Sequence, residues 1–167
     1  GEEAVARIRK RGKMPIRERI SHVLDQDSPF LEISPLAAWR SSYDIGSGFV
    51  VGIGVIEGVE CVILGHDPSV RAGAFNPFNS KKLMRGLEIA RENRMPYVQF
   101  VESAGADLRG ASGDSQGDPN AEAEAALQRE VDHFAESGRL FYEISELSKM
   151  RIPTVSLIFG AATAGGA

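Results

Sequence analysis

A chain of 167 residues carrying a net charge of only −4 suits one domain with a sizeable core, since chains of about 150 residues bury roughly two thirds of their unfolded surface. No run approaches the ~20 apolar residues of a membrane span, and the first residues lack the apolar stretch and cleavage site of a secretion signal. Cys61 is the single cysteine, which excludes an internal disulfide framework and fits a reducing cytoplasm.

The charges are segregated along the chain. Arg7, Arg9, Lys10, Arg11, Lys13, Arg17 and Arg19 crowd the start, while Asp107, Asp114, Asp118, Glu122 and Glu124 mark the middle. The basic cluster reads as a solvated helix or arm, or as a phosphate or nucleic-acid contact. Glu2, Glu3 and Glu18 dilute it, and it lacks interleaved aromatics for base stacking, which makes nucleic acid the weaker reading.

In chain order, Ala4 to Lys13 reads as a short basic helix. Pro15 opens another, with Ile16, Ile20, Val23 and Leu24 on one stripe. Residues 1–35 are therefore expected to form an amino-terminal helical region, ending in an acidic turn and a short edge segment at Phe30 to Ile33. From Gly48 to Gly65 two apolar runs flank Glu57-Gly58, a hairpin signal. Glycines at 52 and 54 leave the first strand bare, so another part of the chain is expected to pass close to it.

His66-Asp67-Pro68 breaks the sheet, and a loop runs on through Pro77. Ser80 is expected to cap a helix reaching about Asn93, with Leu83, Leu87 and Ala90 at helical spacing. Pro96 leads into a buried-type strand, Tyr97 to Val101, ending in a small-residue elbow, Glu102-Ser103-Ala104-Gly105-Ala106. Residues 109–120 read as a mobile surface loop. Leu127, Val131 and Phe134 define one helix, and Phe141, Ile144 and Leu147 another, which Arg151-Ile152-Pro153 terminates. A final apolar run, Ile152 to Phe159, opens onto a small-residue bend at Gly160 to Thr163 and then Ala164-Gly165-Gly166-Ala167. This alternation is the pattern of α/β layer packing.

The two elbows, 103–106 and 163–167, could each present unbonded backbone N–H groups. One donor from each would form an oxyanion hole for a thioester carbonyl becoming an enolate. The same small residues would equally permit tight helix–sheet packing. Other chemistries have less support. Gly52 to Gly58 misses the dinucleotide-binding spacing by one residue, and the chain contains no GxxxxGK[ST] phosphate loop. His22, His66 and His133 lie far apart without ligand-spaced partners, so no metal site is expected. Ser103 lacks the Gly-x-Ser-x-Gly context of a nucleophile and reads as a cap or turn hydroxyl.

Five stretches together carry a resemblance: Gly12 to Ile20, His66 to Ala74, Lys81 to Pro96, Glu102 to Ala106, and Ile152 to Ala167. In this order they resemble the carboxyltransferase (beta) subunits of biotin-dependent acyl-CoA carboxylases, nearest to the methylcrotonyl-CoA and propionyl-CoA carboxylase group. The resemblance implies an α/β crotonase/ClpP-like spiral of β-β-α units, incomplete at the carboxy-terminal end, with 36–167 a partial amino-terminal carboxyltransferase domain. It also implies an oligomer, commonly a hexamer, working with biotin carboxylase and a biotin carboxyl carrier protein, and transferring a carboxyl group from carboxybiotin to the α-carbon of an acyl-CoA. The 167-residue piece alone is expected to be inactive, because the biotin side would come from the missing half.

By the same resemblance, Gly165 and Gly166 match paired glycines whose N–H groups hold the acyl-CoA carbonyl oxygen. Ala104, Gly105 and Ala106 match the neighbouring elbow, where Ala104 replaces a glycine and argues against a positive φ there. Arg7, Arg11 and Lys13 fall in a segment near the nucleotide end of CoA, as candidate phosphate contacts. Such a reaction needs no acidic or basic protein side chain, which suits a site of glycine and alanine; neither a metal nor a membrane is implied. Two alternatives stay open: a crotonase-fold hydratase, isomerase or decarboxylase with Glu102 as the acid–base group, and a non-catalytic CoA-binding or assembly module.

Overall fold

Strands β2 (Phe49–Ile56) and β3 (Val59–His66) form the antiparallel hairpin that the Glu57-Gly58 signal predicts. Both turn residues take positive φ, 49° and 74°, the primed geometry that matches strand twist. The Asp25 carboxylate clamps the turn, accepting the Glu57 N–H at 2.7 Å and the Gly58 N–H at 2.8 Å. The computed structural model describes residues 2–106, 131 and 138–163; the predicted 109–120 loop, most of the helix around Leu127 to Phe134, and Gly165-Gly166 lie outside them.

Among the described residues the sheet order is β1-β2-β3-β4-β5, with β1 Leu31–Glu32, β4 Tyr97–Ser103 and β5 Thr154–Ala162. The first two pairings are antiparallel; β3–β4 and β4–β5 are parallel. Strand alternation sends side chains to opposite faces. On one face Phe49, Val51, Val62, Leu64 and Tyr97 pack with Leu83 and Leu87 of α3 (Pro77–Asn93) and with Leu140 and Leu147 of a helical segment, residues 138–149. On the other face Val50, Cys61, Ile63, Val98 and Phe100 meet Ile16 and Ile20 of α2 (Ile16–Val23). A sheet covered on both faces explains why β3 and β4 read as nearly continuous apolar runs.

The bare positions are close-approach sites. A Cβ on Gly52 would overlap the Phe30 ring, one on Gly54 the Leu24 side chain, and one on Gly65 Ile16. The close neighbours expected from Gly52 and Gly54 are thus the segment leaving α2.

Three boundaries differ from expectation. The first helix, α1, spans Glu2–Lys10, so Lys13 lies beyond it, after a turn at Arg11-Gly12. Helix α3 begins at Pro77 with Asn76 as its cap, and Ser80 lies within its first turns. Asn76 accepts from the Phe78 and Asn79 N–H groups while the Asn79 side chain returns a bond to the Asn76 N–H. Both amides also donate to the Ser47 carbonyl, a tertiary anchor that Ser80 lacks. Finally, β5 runs on through Ala162 instead of ending at Gly160, but its register with β4 breaks there: Val101 pairs with Ile158 and Ser103 with Ala162, so residues 159–161 bulge opposite Glu102.

Candidate functional site

The parallel strands β4 and β5 end side by side. The Thr163 N–H donates to the Ser103 carbonyl at 3.2 Å, and a Cβ on Gly105 would lie 3.5 Å from the Thr163 side chain. The 103–106 bend and the segment entering the second elbow are therefore neighbours; Gly165 and Gly166 themselves are beyond the described residues. Gly105 takes φ +90°, whereas Ala104 is absent from the positive-φ positions. The one residue free of a Cβ thus absorbs the left-handed step, and alanine at 104 is compatible with the turn.

Two of the three amides in this bend are already engaged. The Ala104 N–H donates to the Ala72 carbonyl at 3.1 Å, and the Gly105 N–H donates to Ser103 Oγ at 3.1 Å, which makes Ser103 a turn hydroxyl. The Ala106 N–H makes no hydrogen bond to another described residue, and Ala106 is exposed. Phe75 forms a parallel bridge to Ala106 and donates its N–H to the Gly105 carbonyl at 2.8 Å.

The loop between β3 and α3 therefore cradles the elbow. The sequence marks His66 to Ala74 as a motif, but not that Ala72 within it and Phe75 just beyond it hold residues 104–106. Here Ala72 takes φ +54° and Gly73 φ +69°; a Cβ on Gly73 would overlap the Glu102 carbonyl. His66 closes the back of this loop, stacked on Phe49 and edge-on to Phe75. Burial pushes its imidazole down to about 4, and Nδ1 has no hydrogen-bond partner.

Glu102, just before the bend, is only 7 % exposed. Its Oε2 accepts from Arg19 Nη1 at 2.8 Å and its Oε1 from Lys13 Nζ. Lys13 Nζ also donates to the Phe159 carbonyl at 3.3 Å, and the Arg19 guanidinium lies 4.5 Å from the Phe159 ring centroid. Phe159 in turn stacks on Phe100 at 5.7 Å. The basic cluster is thus largely spoken for: Arg9 pairs with Glu18 and Arg17 with Glu32, and Lys13 and Arg19 with Glu102. Arg7, Lys10 and Arg11 are exposed, with no side-chain partner among the described residues.

Lys82 is a second buried cation. It donates to the Phe49 carbonyl at 2.8 Å and lies 3.8 Å from Glu32. Desolvation lowers it to about 8 against the opposing pull of Glu32, with Arg17 lowering it further. It ties α3 to the start of β2. Among the described residues no group of three or more His, Cys, Asp or Glu side chains could hold a metal ion, and no helix is long and apolar enough to cross a membrane.

Known proteins share this architecture. The chain is 43 % identical over its full length to a probable biotin-dependent acyl-coenzyme A carboxylase beta2 subunit of Mycobacterium tuberculosis, of which it covers 28 %. It is 39 % identical, again over its full length, to the mitochondrial methylcrotonoyl-CoA carboxylase beta chain of Dictyostelium discoideum, covering 26 % of that protein. It thus spans little more than a quarter of the curated relatives it matches. Among solved structures, the geranyl-CoA carboxylase beta subunit of P. aeruginosa superposes with a TM-score of 0.73 at 34 % identity, over 99 % of this chain and 28 % of that one. The transcarboxylase 12S core, at TM-score 0.77 and 24 % identity over 99 % of this chain and 30 % of that one, shares the fold, a crotonase-like α/β arrangement of which this chain is a part. The carboxyl transferase domain family matches residues 7–167, and the chain belongs to that family.

Proposed function

We propose that the intact protein transfers a carboxyl group from carboxybiotin to the α-carbon of an acyl-CoA. The observation that carries this reading is the family match across residues 7–167, supported by the two parallel strand ends meeting at small residues. Carboxybiotin, delivered by a carrier protein or domain, supplies the activated carboxyl when bound. This chain's part is to hold the thioester oxygen while negative charge develops on it, and preorganised donors of that kind are worth about 2.7–4 kcal/mol each.

In this reading Gly165 and Gly166 supply backbone donors from the second elbow. From the first, Ala104 and Gly105 spend their N–H groups on the bend itself, so its donor would be Ala106. In the parallel bridge Phe75 bonds to the Gly105 carbonyl and not to Ala106 itself, which leaves the Ala106 N–H for a ligand. Arg7 and Arg11 remain candidate contacts for CoA phosphates, whereas Lys13 is held by Glu102. The protein would act in an oligomer, hexameric as in the transcarboxylase 12S core, with biotin carboxylase and a biotin carrier as partners. The lone buried Cys61 supports a reducing compartment such as the cytoplasm.

The hydratase-type alternative requires a carboxylate free to exchange a proton with substrate. Both oxygens of Glu102, the side chain it would use, are already taken by cations. The test is to incubate the intact protein with a carboxybiotin donor and methylcrotonyl-, geranyl- and propionyl-CoA among a wider thioester panel. A carboxylated product is expected from at least one; none from any thioester refutes the assignment.

A further inference from the structure

The amino-terminal segment reaches into the sheet at one polar place. Lys13 and Arg19 straddle Glu102 on β4, and the same two cations touch Phe159 on β5, Lys13 through its carbonyl and Arg19 through its ring. Glu102 immediately precedes the 103–106 bend, and Phe159 lies four residues before Thr163. A Cβ on Gly160 would sit 2.7 Å from Glu102 Oε1 and 2.8 Å from Lys13 Nζ, so a bare backbone at 160 lets the ion cluster pack directly against β5.

We propose that Glu102 is a positioning residue: its carboxylate, held by Lys13 and Arg19, fixes how the ends of β4 and β5 sit relative to each other and so how the 103–106 bend sits against Thr163. The consequence for turnover rests on the carboxyltransferase reading; the geometric claim does not.

Simple adhesion of α2 does not account for the arrangement, because Ile16 and Ile20 already pack α2 into the core, with Ile16 against the bare face of Gly65. Burying an unpaired carboxylate costs several kcal/mol, yet Glu102, next to last in β4, is buried together with Arg19 of α2. Their bonds are charge-assisted, which makes them shorter and stiffer than neutral contacts. Arg19 adds a π contact from its buried guanidinium to the ring of Phe159, which is 42 % exposed. Two cations on one carboxylate leave neither oxygen available as an acid or base, so the group acts through backbone placement. The adjoining backbone is tied in as well: Gly73 packs on the Glu102 carbonyl, and Ser103 accepts the Thr163 N–H.

The experiment uses the intact protein and the variants Glu102→Gln, Lys13→Met and the pair combined. Glutamine keeps the shape of glutamate but offers a single acceptor oxygen without charge. Amide hydrogen exchange at residues 103–106 and 160–163 is expected to quicken at least tenfold in each variant while residues 57–60 of the distal hairpin stay unchanged. Turnover of the best thioester in the panel is expected to fall at least tenfold per folded site, with methylcrotonyl-CoA binding within twofold of the parent and the double variant no worse than the worse single one. If Glu102→Gln does not fold, Lys13→Met, which loses a half-exposed partner, carries the same readouts. Unchanged exchange at both elbows overturns the proposal. So does full turnover in Lys13→Met alongside lost turnover in Glu102→Gln, which would put the carboxylate in the chemistry. A parent protein that carboxylates no thioester refutes the carboxyltransferase reading alone, and the exchange rates still decide the geometric claim.

Discussion

His66 lies flat against Phe49, ring centroids 4.4 Å apart and planes 17° from parallel. The imidazole is 2 % exposed and its Nδ1 is unpartnered, so protonation would bury an unpaired charge between aromatic rings. With the folded group at about 4 against an ordinary 6.5, the unfolded chain binds the extra proton first on acidification. Stability is then lost as pH falls from 6.5 to 4 and levels off below, by about 3 kcal/mol in all. Urea midpoints across this range are expected to show that slope, and His66→Phe to flatten it. A parent and variant with parallel pH profiles would exclude His66 as its source.

Lys82 produces the opposite end of the profile. Its ammonium is lowered to about 8 from 10.5, so between these values the unfolded chain holds a proton that the folded one has released. Stability attributable to this group rises as pH climbs from 8 to 10.5 and is flat on either side. Lys82→Met should abolish the rise, because an apolar side chain of similar length fills the slot without charge. Thermal midpoints at pH 7.5, 9 and 10.5 read the difference.

The sheet was legible where a local pattern decides it and obscure where a distant partner does. Glu57-Gly58 between apolar runs marks the hairpin, and the bare faces of Gly52 and Gly54 announce a close neighbour. Nothing local says that Phe30 and Leu24 are those neighbours. Ser80 and Asn76 are both competent caps by residue type; the Ser47 carbonyl, about 30 residues away, selects Asn76. Likewise the basic cluster reads as a solvated arm because Glu102 stands 83 positions beyond Arg19. The elbows were legible from their small residues, but which amides remain available depends on the Ala72 carbonyl and the Ser103 hydroxyl, which only the folded loop brings there.

Asn76 caps α3 and simultaneously donates to the Ser47 carbonyl at 3.0 Å. Loss of a cap costs about 0.5–2 kcal/mol, and the buried bond to Ser47 adds to it. Asn76→Ala is therefore expected to destabilise by about 2 kcal/mol or more, whereas Ser80→Ala, which removes an unpartnered hydroxyl, should be neutral or mildly stabilising. Paired denaturant titrations test the order, and a Ser80 variant weaker than the Asn76 variant would restore Ser80 as the cap.

At Gly52 an added Cβ would meet both the Phe30 ring and the Leu31 carbonyl, and the carbonyl is backbone that cannot swing aside. Overpacking of this kind costs about 1–3 kcal/mol, so Gly52→Ala should lower the urea midpoint. A Cβ on Gly12 meets nothing within 4 Å, and Gly12→Ala should register only its backbone preference at φ +71°.

The elbow supplies a sharper contrast, because adjacent residues should respond differently. Gly105 holds φ +90° and its added Cβ would have ordinary room, 3.5 Å from Thr163, so Gly105→Ala suffers from conformation alone. Left-handed backbone penalises an L residue by about 1–2 kcal/mol, and relief would come by rotating the bend and drawing the Ala106 N–H off its direction. Ala104, without positive φ, gains only chain entropy on becoming glycine, about 0.5–1 kcal/mol of destabilisation. Gly105→Ala should therefore reduce carboxyl transfer by the intact protein far more than Ala104→Gly does, at comparable thioester binding. Equal activities in the two variants would separate the left-handed step at Gly105 from the chemistry.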